Sequence, residues 1–236
     1  MSMGEKSMSM GVRSVVLASA SIAAAACSLD VSAAVLVKYP FDNNADGSSG
    51  FAYSTFDSGV LASSTVAAGA GLGQFSVGTD SWSGSVQVLK TGPGTAVSGA
   101  TAATALANDW YFEFTLTPTS SMDIRSIEAD WSRGGTTATR GWFVRSSLDG
   151  YASDLFANET PVGTSFGLQH AGFNISGFTG LTSAVTFRFY IYTDATGRYM
   201  DFQNVQFNSH ALAVPGAGLA GFATVGLAGA SRRRRR

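Results

Sequence analysis

Apolar and polar residues alternate along the middle of the chain with a period of two, the period of a half-buried strand. In Val185–Tyr192 one face carries Val185, Phe187, Phe189 and Ile191, and the other carries Thr186, Arg188, Tyr190 and Tyr192. Trp110, Phe112, Phe114 and Leu116 alternate with Tyr111, Glu113 and Thr115; Ile127, Ala129 and Trp131 alternate with Ser126, Glu128 and Asp130. The same pattern predicts strands over 35–39, 51–56, 60–66, 85–89, 141–146, 165–170 and 200–207. In the last of these the apolar phase slips between Phe202 and Val205, which predicts a bulge or an edge. Asp149-Gly150 and Asp194-Ala195-Thr196-Gly197 read as hairpin connections. Residues 91–107, rich in Ala, Thr and Gly, read as a loop with one helical turn. Short strands punctuated by Gly, Asp, Asn and Ser predict an all-β protein, an antiparallel β-sandwich.

Composition narrows the function classes. Of 236 residues 13% are charged, too few for a helical bundle or coiled coil, while 16 Phe, 7 Tyr and 4 Trp suffice for a core. One Cys excludes a disulfide scaffold and a Cys-based zinc site, and two His exclude a histidine-rich metal centre. The net charge of −1 hides an asymmetry, because five of the bases end the chain: residues 35–212 hold eight bases against fourteen acids. That acidic middle disfavours binding to nucleic acid.

The two ends read as targeting segments flanking a β-sandwich domain over 35–212. Residues 14–26 form an uncharged run of small and apolar side chains behind Arg13. The run is shorter than the ~20 residues of a bilayer-spanning helix and has the length of a signal-peptide h-region. It predicts a helical secretory signal peptide over 1–34, cut after Ala34, with Ala33 as the alternative. Starting at Met8 or Met10 instead of Met1 would drop Glu5 from the leading region, so the start stays open. Cys27 behind Ala24-Ala25-Ala26 keeps a lipoprotein reading open; otherwise it is discarded with the signal. At the other end, 213–236, Val214-Pro215-Gly216 precede an uncharged small and apolar stretch over 217–230, expected to form a short helix. Ser231 and Arg232, Arg233, Arg234, Arg235 and Arg236 follow. Arginines flanking an apolar segment stay on the cytoplasmic side. A plain basic tail and a stable membrane anchor are the alternatives.

A Val-Pro motif, an apolar Gly/Ala/Leu segment and a terminal Arg cluster resemble the PEP-CTERM sorting signal of bacterial surface proteins. Val214-Pro215 match that family's Val-Pro-Glu-Pro motif, and Gly216-Ala217 replace its second half, as in the glycine-rich variant. The resemblance implies export through the secretion machinery and transient contact with the inner membrane. It also implies processing by an exosortase-like enzyme, and residence at the cell surface, outer envelope or extracellular matrix, often alongside exopolysaccharide. The segments from Trp142 to Tyr151, Val185 to Tyr190 and Asp201 to Val205 are similar to strands of jelly-roll-like PEP-CTERM proteins. The resemblance implies a jelly-roll-like form for the sandwich and brings no settled activity with it.

Candidate chemistry is sparse. Gly163-Thr164-Ser165-Phe166-Gly167 matches a nucleophile elbow, but no helical pattern follows it. Gly216-Ala217-Gly218-Leu219-Ala220-Gly221 matches a dinucleotide fingerprint without a βαβ unit around it. Asp42-Asn43-Asn44-Ala45-Asp46-Gly47 matches the first half of a calcium loop, with Tyr53 where an EF-hand needs Glu. Asp42, Asn44 and Asp46, completed by Asp201, would form a structural calcium site; the alternative is an Asn/Asp turn. Glu113, Glu128, Asp130 and Glu159 are the carboxylates a glycan hydrolase could use, and sequence alone does not pair them. No catalytic residue is assigned. Arg188, Tyr190 and Tyr192, on the outward phase of their strand, suit carbohydrate if the rings are open and are packing residues if a loop covers them. The expected function is a non-enzymatic cell-surface or matrix component. A carbohydrate-binding module is the first alternative and a secreted glycan hydrolase the second.

Overall fold

Among the described residues, twelve strands and one short α-helix, with a 3-10 turn at Ser147–Asp149, follow in order: β1 (Val35–Tyr39), β2 (Thr55–Phe56), β3 (Leu61–Ala68), β4 (Leu72–Asp80), β5 (Val86–Pro93), α1 (Ala102–Ala107), β6 (Tyr111–Pro118), β7 (Ser126–Arg133), β8 (Arg140–Ser146), β9 (Phe156–Thr160), β10 (Phe166–Asn174), β11 (Val185–Tyr192) and β12 (Met200–Asn208). The computed structural model describes residues 34–42, 51–80, 86–133, 139–161, 166–194 and 196–212. The signal segment (apart from Ala34), Asn44, Asp46, Ser165 and the whole tail with Val214, Pro215 and Arg232 to Arg236 lie outside them. No helix among the described residues is long and apolar enough to cross a membrane.

All strand pairs are antiparallel, in two sheets. The first runs β10-β7-β12-β1-β2, with β5 also on β12 and β4 on β5. The second runs β3-β6-β11-β8-β9. From β6 onward successive strands change sheet, apart from the β8–β9 hairpin, which gives the antiparallel sandwich that the alternation predicts, in the jelly-roll-like form that the resemblance implies.

The phase slip in β12 has a structural cause. Residues Met200 to Phe202 pair with β5, while Val205 to Asn208 pair with β1, and the register against β7 shifts between Gln203 and Gln206. Asn204 takes a left-handed conformation at φ 51° and gives its N–H to the Pro40 carbonyl. The bulge is where one strand changes neighbours, and Asn tolerates that conformation better than most side chains.

The inner faces meet in an aromatic core. Phe112, Phe114, Trp142, Phe187 and Phe189 from the second sheet face Tyr39, Trp131, Phe202 and Phe207 from the first, all buried. Ring centroids lie 5.0 Å apart for Phe112–Phe202, 5.4 Å for Phe114–Phe207 and 5.1 Å for Phe187–Phe207. Offset and edge contacts of this kind add about 0.5–1.5 kcal/mol per pair beyond area burial.

Five sequence expectations change. The strand predicted over 51–56 shrinks to Thr55–Phe56. Trp110 does not continue the inner set of β6. Asp109 has φ 53°, and Trp110 joins a second cluster on the outer side of the second sheet with Ala100, Ala105, Phe143, Tyr190 and Tyr192. Strands β4 and β9 were not predicted. Residues 91–93 finish β5, and 102–107 form the helix α1 that covers the second cluster. The Asp194–Gly197 stretch links β11 to β12 across the two sheets and is no hairpin, because those strands lie in different sheets and do not pair with each other. Asp149-Gly150 does lead from β8 into its partner β9. Gly150 sits at φ 66°, where L side chains are strained, and the Asp149 carboxylate accepts the N–H groups of Ala152 and Ser153.

Candidate functional site

The outer face of β11 is covered. Tyr190 stacks on Phe143 with centroids 4.9 Å apart and lies 5.2 Å from Tyr111, leaving it 3% exposed. Tyr192, 5% exposed, packs against Gly141, where any Cβ would collide with its ring. Its hydroxyl donates to the Glu159 carboxylate at 2.8 Å. Burial and that carboxylate push its pKa well above the usual phenol value. The Arg188 guanidinium donates to Glu113 at 3.0 Å and lies between the rings of Tyr111 and Tyr151, 4.1 and 4.0 Å from their centroids. A sugar platform needs an open ring face, and α1 with its flanking loop has taken it. Arg188, Tyr190 and Tyr192 are packing residues, and Glu113 and Glu159 are engaged in the same layer.

Asp201 is likewise withdrawn from the calcium set. It is buried in β12, opposite Lys90 and Ser132, and close enough to Arg140 for their charges to interact. Burial first, then the charges of Arg133 and Arg198, lower the Arg140 pKa to about 10 despite Asp194 and Asp201. Arg133 donates to the Thr160 and Pro161 carbonyls at 3.0 and 2.9 Å, and Arg140 to the Tyr199 carbonyl at 3.2 Å. These arginines tie together the chain segments at one end of the sandwich, and Asp201 helps to balance their charge. Asp42 remains, and among the described residues no group of three or more His, Cys, Asp or Glu is placed to hold a metal ion. At the nucleophile-elbow match, strand β10 begins at Phe166, where an elbow requires a helix.

The outer face of the first sheet gathers polar side chains that were not grouped from sequence. Lys38 of β1, Asn204 and Gln206 of β12, Glu128 and Asp130 of β7 and His170 of β10 line one pocket of about 220 Å³, open to solvent. Register brings them together: His170 lies opposite Asp130, Gln206 opposite Glu128 on one side and Lys38 on the other. Asn204 donates to Asp130 at 2.8 Å, and Gln206 and Asn208 donate to Glu128 at 2.7 and 2.8 Å. The His170 ring bridges the two acids, Nδ1 2.9 Å from Asp130 and Nε2 3.3 Å from Glu128. A neutral imidazole has one N–H and can donate to only one of them; the imidazolium can donate to both. Gly172, opposite Glu128, leaves the space into which these side chains fold.

The arrangement presents charged acceptors, amide groups and one ammonium from four adjacent strands. Such a set can exchange hydrogen bonds with several hydroxyl groups at once. Glu128 and Asp130 stand side by side on one strand and share an imidazole, whereas a glycosidase pair faces across the scissile bond. Their shared face was readable from the alternation in β7. His170, Lys38, Asn204 and Gln206 were missed because only cross-strand register brings them to that face; the outward phase of β12 was the available signal.

No protein-family model matches the chain, and no curated protein matches it. Among solved structures the chain is similar to the K3 cleaved adhesin domain of Lys-gingipain from Porphyromonas gingivalis w83 (TM-score 0.40, 12% identity, 65% of this chain and 95% of that one). It is also similar to CBM27-1 of Caldicellulosiruptor saccharolyticus in complex with mannohexaose (TM-score 0.39, 13% identity, 74% and 98%). A third is the family 11 carbohydrate-binding module of Clostridium thermocellum in complex with a mixed-linked tetrasaccharide (TM-score 0.34, 10% identity, 76% and 100%).

Proposed function

We propose that the sandwich domain is a carbohydrate-binding module whose ligand lies on the outer face of the first sheet. The observation that carries this reading is the pocket lined by Lys38, Glu128, Asp130, His170, Asn204 and Gln206. Its carboxylates are already oriented by Asn204, Gln206 and Asn208, so a hydroxyl-rich ligand meets acceptors whose rotamer freedom is spent. The targeting patterns at the two ends support a secreted protein sorted by a PEP-CTERM-like route. A glycan-binding domain delivered there would hold the protein to exopolysaccharide or another surface glycan, so surface component and binding module describe one protein.

The test is a glycan array probed with the full chain, followed by titration of the glycans that score. Asp130→Ala removes a charged acceptor, and hydrogen bonds to charged groups contribute about 1.5–3 kcal/mol. Affinity should therefore fall roughly 10- to 100-fold. Tyr190→Phe, in the covered layer of the other sheet, should leave binding unchanged. Binding lost with Tyr190→Phe and kept with Asp130→Ala would move the site to the other sheet.

A further inference from the structure

The C-terminal strap of the domain crosses the same face as the pocket. Past β12, the Ser209 N–H donates to the Ala34 carbonyl, and the Ser126 hydroxyl donates to the His210 carbonyl at 2.8 Å. Asn174, the last residue of β10, then grips Leu212 with both ends of its amide. Its Oδ1 accepts the Leu212 N–H at 2.7 Å and its Nδ2 donates to the Leu212 carbonyl at 3.3 Å. This is strand-like pairing made by a side chain, and it fixes the Leu212 side chain over Gly172. A Cβ on Gly172 would lie 2.7 Å from Leu212 Cδ1, 3.3 Å from His170 Nε2 and 3.5 Å from Glu128 Cγ. The leucine methyl group and the two polar side chains therefore converge on one point.

The pocket runs across four strands, from Lys38 on β1 to His170 on β10. Three interstrand steps make it about 14 Å long. β10 ends the sheet on that side, and there the strap stands above its surface. We infer that Leu212, held by Asn174, is an end wall of the glycan site, so that the site takes the terminal residues of a carbohydrate chain and not an internal stretch. This rests on the reading of the face as a glycan site and adds its ligand class. The wall also contributes apolar surface, against which the C–H face of a terminal sugar ring can pack while its hydroxyls meet His170 and Glu128.

The test uses the full chain and a soluble polysaccharide that scores on the array, intact and partially hydrolysed, compared at equal mass as competitors. A chain-end site counts ends, so hydrolysis that makes ten times as many ends should lower the half-competing mass about ten-fold. Leu212→Gly removes the wall and Asn174→Ala releases its grip; each should bring the intact and hydrolysed polymers to equal competition. Unchanged melting temperatures would confirm that both variants fold. Equal competition by the two polymers in the wild-type protein overturns the end wall while leaving the glycan site in place. So does a ten-fold preference that survives in both variants. Failure of every glycan to bind the wild-type chain overturns the site itself and the wall with it.

Discussion

At the scale of single residues, β11 separates two environments that its alternating sequence only partly distinguishes. Phe187 is fully buried between the sheets against Phe178 and Phe207, and Phe187→Ala should cost about 3–5 kcal/mol in chemical denaturation. Thr186, next to it on the outer face, shares a 2.8 Å hydrogen bond with Thr115, so Thr186→Ala should cost about 1 kcal/mol rather than nothing. Equal losses would mean that both faces are packed alike. Tyr192 supplies a pH signature. Burial and the Glu159 carboxylate raise its pKa above the ordinary value near 10, so the folded protein keeps this proton after the unfolded chain has released it. Its contribution is complete below pH 10 and falls as pH rises above it. Unfolding free energy measured from pH 8 to 11 should therefore decline more steeply in the wild type than in Tyr192→Phe, and parallel profiles would refute that assignment.

At the scale of elements, the strands whose two faces differ in chemistry were legible, and those whose faces do not were missed. β11 alternates large apolar residues with polar or aromatic ones, so its bounds came directly from the pattern. β4 reads Leu-Gly-Gln-Phe-Ser-Val-Gly-Thr-Asp, with Gly at two positions that carry no facial signal, and β9 is five residues with a single large apolar side chain. The bulge in β12 was legible because a slip in phase is local. The crossing at 194–197 was not, because turn chemistry reports a change of direction and says nothing about which sheet receives the chain. The polar site failed for the same reason: each residue was visible, but its neighbours come from other strands. The cover over Tyr190 and Tyr192 belongs to α1, whose Ala105 is fully buried against them. Ala105→Leu should thus destabilise by about 1–3 kcal/mol through overpacking and raise the exposure of Tyr190 to solvent quenchers. A neutral substitution would show that the helix is not packed as tightly as its burial indicates.

At the scale of the whole molecule, the sandwich and the tail make separable demands on the chain. Among the described residues the last backbone ties are those of Ser209 to Ala34 and Leu212 to Asn174, and Val214-Pro215 begin two residues beyond. Trimming at the Val-Pro motif would thus leave every described strand and the strap intact. The five terminal arginines carry the other demand, because positive charge behind an apolar segment resists translocation. If the tail enters a membrane, the small residues of 217–230 bring little apolar area and would favour a short stay over a permanent one. In a host with an exosortase, the precursor should pause at the inner membrane, lose its tail near Val214-Pro215 and reach the exterior with its melting temperature unchanged. Replacing Arg232 to Arg236 by Ser should let uncut precursor pass that step. Mass spectrometry of C-terminal peptides in membrane and surface fractions reads both outcomes. Arg236 found intact on protein recovered from the cell exterior would show that the tail is no sorting signal, whatever glycan the domain holds.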